Sequence, residues 1–501
     1  QLTIENPESA EEGRLRFRLQ SAAGDEVFVF DVTDARHPEL LEGIEVYPAK
    51  DGYTVEFESD IDDATKLAVS PLEHLASPDS VQPLGGTWLY HHDGADYIIV
   101  AYDPLYEAAR DLAGFAEQRG FDVDVVKYSE LIDAFNFGLY GPQAIGNFLG
   151  FAYANWEKVP LYVLLLGDAS YDYKGNYLDW GLPDLLSTLL VDDPSLGDVA
   201  SDLLLACVDG DDHLPEFVIA RLPAHDTDEV LAYLDKLERY YDPGDNFWRR
   251  EFLFVADDGF ESSSLNSQEH VNSTYLVSQL FLSDYDEPEE LTVDLLDALN
   301  AGKVWVDYTG HGGVDVWAHE HILDYAMITE ELRNEGRYPF VSVWTCLNGY
   351  FDHGLIAEVI AEGFTLTDGA GAIGIFAPTR VSMGLAGDLL SEALYSTVFD
   401  DGERNLGIAT FAACSNTIDE GLGIWAESYV LFGDPTLDLA LPAPEDVNGS
   451  GRVDGVDLIY LCRCMDGADC GMSRYADIDL DGEVDGNDLD LLEGAFGTRA
   501  F

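Results

Sequence analysis

From about residue 85 onward, runs of five or six apolar residues alternate with longer amphipathic stretches. That alternation predicts parallel strands covered by helices. Buried strands are expected over residues 97–102, 161–166, 217–222, 252–256, 304–308, 340–345 and 372–376. Helices are expected over 104–119, 227–241 and 267–282, with two more after Gly384 and Asn405. Pro104 suits a first helical turn and Gly120 a helix stop. Residues 1–78 carry a different period. Arg14-Leu15-Arg16-Phe17-Arg18-Leu19 and Tyr53-Thr54-Val55-Glu56-Phe57 alternate strictly, which predicts a small antiparallel β unit, either a packing domain or the remnant of a prodomain. The expected organisation is that unit (1–78), two α/β subdomains (79–245 and 246–440), a Pro-containing linker at 441–445 and a C-terminal module (446–501).

Two of the predicted strands run into chemically loaded turns. One continues as Tyr308-Thr309-Gly310-His311-Gly312-Gly313, the other as Trp344-Thr345-Cys346-Leu347-Asn348-Gly349. Sites in parallel sheets lie at the carboxyl ends of the strands, so adjacent strands would bring His311 to Cys346. A thiolate attacks where a thiol barely does, and a neighbouring histidine can hold the proton. The glycines leave room for a substrate, and free backbone N–H groups there can hold an oxyanion. A core cysteine beside a loop histidine would carry the same letters, so the pair alone leaves both readings open.

The surrounding words narrow the choice. Tyr-Thr-Gly-His-Gly followed by Cys-x-Asn-Gly-x-Phe resembles the gingipain-like cysteine peptidases of family C25. So do Leu164-Leu165-Leu166-Gly167-Asp168, Ser201-Asp202, Asp211-Asp212-His213, Ala220-Arg221-Leu222-Pro223 and Leu431-Phe432-Gly433-Asp434-Pro435-Thr436, in that order. The resemblance spans roughly residues 80–440. It implies a caspase-like α/β fold with Cys346 as nucleophile, His311 as base, and the N–H groups of Gly312 and Cys346 as oxyanion donors. It also places Asp258 where that branch has a histidine-orienting Glu, and the shorter Asp puts direct contact in question. Glu269 falls where the arginine-cleaving branch has its pocket-floor acid, which implies a basic P1 residue, arginine over lysine; Arg380 could neutralise that pocket. Against this, Glu269 also reads as an ordinary acid in a first helical turn. His319, His321 and His353 lie near the motifs without a coherent zinc spacing.

Charge changes the picture of the surroundings. Against 96 acidic residues there are 25 basic ones, net −71, with only seven lysines, and the acids scatter through every segment. A nucleic-acid surface is excluded on that balance, and an anionic membrane would repel the chain. Self-repulsion at this density calls for screening, so adaptation to high salt, or an acidic secreted protein loaded with calcium, is expected. No apolar run approaches membrane-spanning length. The chain opens at Gln1 without a charged-then-apolar leader, which reads as a mature secreted form. Cys207 and Cys414 read as buried small hydrophobes. Among Cys462, Cys464 and Cys470 one pair could bridge, with one left over.

The C-terminus repeats itself. Asp446, Asn448, Ser450, Asp454 and Asp457 recur 31 residues later as Asp477, Asp479, Asp481, Asp485 and Asp488, with Gly451 and Gly482 at position 6 and Glu483 at position 7 of the second copy. Oxygen side chains at positions 1, 3, 5, 9 and 12 around a glycine are what a calcium loop requires. An apolar helix follows each copy, and the pair, with Asp at position 12, resembles a type I dockerin. Ser450 should make the first site the weaker. The resemblance implies bound Ca2+ and a cohesin-like partner, or a module that only ties down the C-terminus. Taken together, the expectation is a secreted, calcium-binding cysteine endopeptidase. A sortase-like transpeptidase, or an idle calcium-dependent scaffold, would use much of the same sequence.

Overall fold

The computed structural model describes residues 2–5, 13–22, 24–34, 37–62, 64–75, 83–176, 181–194, 196–210, 212–242, 246–465 and 473–498. Asp211 and Cys470, singled out above, lie outside them. The chain divides into two compact units, 1–83 and 84–501. The first holds two small antiparallel sheets. One pairs Leu2–Glu5, Lys66–Pro71, Val27–Asp31 and Glu39–Leu40; the other pairs Gly13–Ala22, Gly52–Ile61 and Glu45–Ala49. The period-two pattern buries Val29, Val55, Phe57, Leu67 and Val69 as their shared core.

The second unit is built on one ten-stranded sheet. Its strands in chain order are β1 (Tyr97–Ala101), β2 (Val123–Lys127), β3 (Tyr162–Leu166), β4 (Val218–Leu222), β5 (Glu251–Ala256), β6 (Leu276–Phe281), β7 (Trp305–Thr309), β8 (Phe340–Trp344), β9 (Gly374–Pro378) and β10 (Tyr429–Gly433). Their spatial order is 6-5-7-8-9-10-4-3-1-2. Every neighbouring pair is parallel except β9 and β10. Two five-stranded parallel halves therefore meet along that antiparallel seam, and β10, from late in the chain, joins the earlier half. Most of the strands read as continuous apolar runs because both faces are covered. On one face Phe252, Phe254, Trp305 and Phe340 belong to a core shared with helices α1 (Tyr106–Gln118), α2 (Thr227–Tyr240), α3 (Gly384–Phe399) and α4 (Leu406–Asp419). Leu253, Val255, Val306, Val341 and Val343 face the other layer, including helix Pro288–Ala301. Caps fix the helix starts: Asp226 accepts from Asp228 and Glu229 N–H, and Asn405 from Ile408 N–H.

Several motif words of the first half meet in space. Arg221, fully buried on β4, donates to both oxygens of Asp202 (2.6 and 2.8 Å) and to the Gly167 carbonyl (2.7 Å).

One predicted element is wrong. Residues 267–282 do not form a helix. A short helix, Glu261–Gln268, ends at Glu269, and Leu276–Phe281 is the edge strand β6. An edge strand is covered on one side only, and its half-buried, irregular apolar spacing reads as helical in sequence.

Beyond β10 the chain passes through 441–445 into a module of two acidic loops and helices Gly455–Met465 and Gly486–Ala495 around Val453, Leu461, Ile478 and Leu492. Phe247, just before β5, and Leu276 on β6 pack against that same core. Cys464 is disulfide-bonded, whereas Cys462 is free and exposed. Cys207 is half-buried and Cys414 fully buried; burial pushes both thiols up to about 12.

Candidate active site

The sheet register sets the site. Thr309 on β7 pairs with Trp344 on β8 and with Ala256 on β5. Two residues beyond these three level positions stand His311, Cys346 and Asp258. The turns after β7 and β8 are also in contact. A Cβ on Gly312 would lie 2.4 Å from Thr345 Oγ1 and 3.0 Å from the Cys346 carbonyl, so only glycine lets them approach this closely. Asn348 Nδ2 donates to the Gly313 carbonyl (2.7 Å) and binds the same two turns together. Leu347, directly after the cysteine, holds a left-handed φ of 63°, a strained conformation for a leucine.

Cys346 and His311 line one cleft of about 210 Å³ with Phe260, Trp344, Met383 and Asp388. The Cys346 sulfur lies 3.4 Å from the Ser382 N–H, which donates to it. The His311 ring stands edge-on to Phe260 (centroids 5.1 Å) and 4.7 Å from the ring of His319. Gly312 faces Trp317 across a bridge whose hydrogen bonds run from Gly313 N–H to the Val316 carbonyl and from Ala318 N–H to the His311 carbonyl. The N–H groups of Gly312 and Cys346 have no acceptor among the described residues.

The acids are distributed differently from the sequence expectation. Asp258 is exposed, and among the described residues no carboxylate accepts from the His311 ring. Its neighbour Asp257 is fully buried, and accepts from the His311 backbone N–H (3.1 Å) and the Asp258 N–H (2.8 Å). Burial raises the Asp257 carboxyl above its usual range. Glu269 is exposed at the C-terminal cap of helix Glu261–Gln268, not in a first helical turn. It lines a recess with His270 and Glu392 that shares Ser263 and Asp388 with the cleft of Cys346 and His311. Arg380 does not reach that recess. It is buried against Asp352 in a two-pronged pair (2.8 and 2.6 Å) under the ring of Tyr350. His353 turns its Nδ1 toward the Leu355 and Ile356 N–H groups. Ser382, Asp388 and Asp257 were missed. Ser382 meets the Cys346 sulfur through its backbone N–H, and only its place just past a strand end could have marked it.

With this geometry in view, residues 90–440 match the family model for peptidase family C25. The chain belongs to peptidase family C25. Residues 444–496 match the dockerin type I domain. Gingipain R2 of Porphyromonas gingivalis is 23% identical over 291 residues, 52% of this chain and 39% of that protein. The gingipain R2 of another strain of that organism is 21% identical over 392 residues, 72% of this chain and 49% of that one. The chain thus spans less than half the length of these two C25 relatives. The crystal structure of the Arg-specific cysteine proteinase gingipain R superposes with a TM-score of 0.58 at 20% identity, covering 72% of this chain and 81% of that one. Latent PorU from P. gingivalis gives 0.52 at 18%, covering 88% and 40%. The two-halved sheet is the C25 fold.

The two C-terminal loops have the donor set of a calcium site. Asp477, Asp479 and Asp481 bring carboxylate oxygens within 4.8 Å of one another, and the buried Asp477 Oδ1 has no hydrogen-bond partner among the described residues. In the first loop Asp446 and Asn448 Oδ1 converge on the Ser450 N–H (3.0 and 3.2 Å). At position 12, Asp457 and Asp488 reach back to the N–H groups of Asn448 and Asp479. Asp454 and Asp485, at position 9, accept from Val456 and Asn487 N–H, and Glu483 is exposed. An all-oxygen set with glycine at position 6 suits calcium.

Proposed function

We propose that this chain is a secreted, calcium-binding cysteine endopeptidase in which Cys346 attacks the scissile carbonyl. His311 takes the thiol proton and returns it to the leaving amine, and water then releases the acyl group from the sulfur. The N–H groups of Gly312 and Cys346 hold the oxyanion, and the Ser382 N–H, donating to the sulfur, holds the nucleophile in place. The observation that carries this reading is the level placement of His311 and Cys346 past two paired strands, in one cleft, with their turns in contact. Asp257 rather than Asp258 anchors the histidine turn. Glu269, with Asp388 at the mouth of its recess, selects a basic P1 side chain, and the Arg specificity of the gingipain relative supports that choice. Calcium fills the two C-terminal loops. The exposed apolar residues Val456, Ile459, Leu491 and Phe496 offer a cohesin-like partner a surface.

The test is hydrolysis of chromogenic peptides ending in Arg, Lys or Leu, in molar salt with calcium and reductant. The wild type, Glu269→Gln and Asp388→Asn would be run in parallel. Cleavage after Arg that falls selectively in either variant supports the pocket. Equal cleavage after Leu would refute it and leave the peptidase standing, and products that form only with an added amine would indicate transpeptidation.

A further inference from the structure

The first acidic loop is gripped from behind by the peptidase. Asn246 N–H donates to the Asn448 carbonyl (2.7 Å), and Arg249 Nη1 to the Gly449 carbonyl (3.0 Å). Arg250 donates to the carbonyls of Ala443 (2.7 Å), Pro444 and Asp446 (3.2 Å), and to that of Tyr475 (3.3 Å). Both arginines are almost fully buried, at 1% and 3% exposure. They immediately precede β5, the strand that ends just before Asp257, whose carboxylate accepts from the His311 N–H. Buried guanidinium groups are costly unless their donors are satisfied, so the loop backbone completes this part of the peptidase.

The repeat supplies an internal control. Position 4 is Gly449 in the first loop and Leu480 in the second, and both have left-handed φ, 66° and 59°. Leu480 is 40% exposed, so the conformation itself tolerates a side chain. At Gly449 a Cβ would lie 2.3 Å from the Asn246 carbonyl oxygen and 2.9 Å from its carbon, both backbone atoms. Glycine is required there by contact with the peptidase, not by the loop's own geometry.

We infer that the first loop is a structural calcium site of the peptidase itself. An ion held there fixes the Asp446, Asn448 and Gly449 carbonyls that meet Arg250, Asn246 and Arg249. Its loading therefore sets the stability of the catalytic half more than does loading of the second loop, whose approach among the described residues runs through Tyr475 alone. This rests on the reading that the loops bind calcium.

All eight tryptophans lie at or before Trp425, and among the described residues only Trp248 sits beside the module, so tryptophan fluorescence chiefly reports unfolding of the peptidase. The experiment melts the full chain in calcium and in chelator, with calorimetric calcium titration of each variant. Chelation is expected to lower the wild-type midpoint by several degrees. Asp446→Asn should melt in calcium like the chelated wild type, whereas Asp477→Asn should keep most of the calcium shift. Gly449→Leu should still titrate calcium but melt low. Equal effects of Asp446→Asn and Asp477→Asn, or a wild-type midpoint unmoved by chelation while calcium binds, would overturn the coupling alone. Absence of calcium binding would overturn the reading of the loops as well.

Discussion

Gly312 makes the sharpest test of how the two turns are held together. Its φ is not positive, so alanine fits the backbone and the effect is purely one of contact. The added methyl carbon would meet Thr345 Oγ1 at 2.4 Å, the Cys346 carbonyl oxygen at 3.0 Å and Asn348 Nδ2 at 3.1 Å. Ordinary contact distance is roughly 3.5–4.0 Å, so the turns must separate by about 1 Å. A displacement of that size at a reacting centre costs on the order of 100-fold in rate, or about 2.7 kcal/mol of transition-state stabilisation. Overpacking costs a further ~1–3 kcal/mol of stability. Gly313→Ala is the control, because its Cβ would meet a Val316 methyl at 3.0 Å and Asp315 Oδ1 at an ordinary 3.9 Å, and neither atom belongs to the cysteine turn. The assay is kcat/KM on an Arg peptide, with iodoacetamide titration of Cys346 and a thermal melt to show that the variant is folded. A folded Gly312→Ala that keeps kcat/KM within about threefold would refute the contact argument.

Arg380→Met strands Asp352, 0% exposed, without its buried partner, and should cost ~3–5 kcal/mol in urea unfolding. Asp307, buried beneath the cleft and accepting from Ser342, Trp344 and Tyr395, is raised by burial to about 6. Its folded pKa lies above its unfolded one, so the fold binds the extra proton and this term weakens stability as pH rises from about 4 to about 6. Asp307→Asn should flatten that slope by on the order of 3 kcal/mol, read as denaturant midpoints across the window. With a net charge of −71, raising salt from ~0.1 to ~1 M contracts the screening length from about 10 to about 3 Å and should raise the melting midpoint steadily.

The strands of the site were legible because both faces are buried, so β7 and β8 announce themselves as apolar runs with glycine-rich ends. Their adjacency then carries His311 to Cys346 without further information. What failed depended on tertiary contact. Asp257 and Asp258 are chemically alike in sequence, and only the direction of the turn buries one and exposes the other. The edge strand β6 lacks the two-sided burial that marked its neighbours, so residues 267–282 read as a helix and Glu269 was placed at the wrong end of one. Arg380 finds Asp352 just past the Cys346 turn, a pairing no periodicity encodes. The calcium-loop spacing was plain, but the contact of Asn246 with Asn448 joins residues some 200 positions apart and left no local trace.

The central claim is that Cys346 and His311 act as one unit, and peptide-amide hydrolysis by the wild type, Cys346→Ala, His311→Ala and the double variant tests it most directly. Either single change should lower kcat by at least ~1,000-fold, and the double variant should be no worse than the single ones. Hydrolysis that survives Cys346→Ala, or losses that multiply in the double variant, would contradict it.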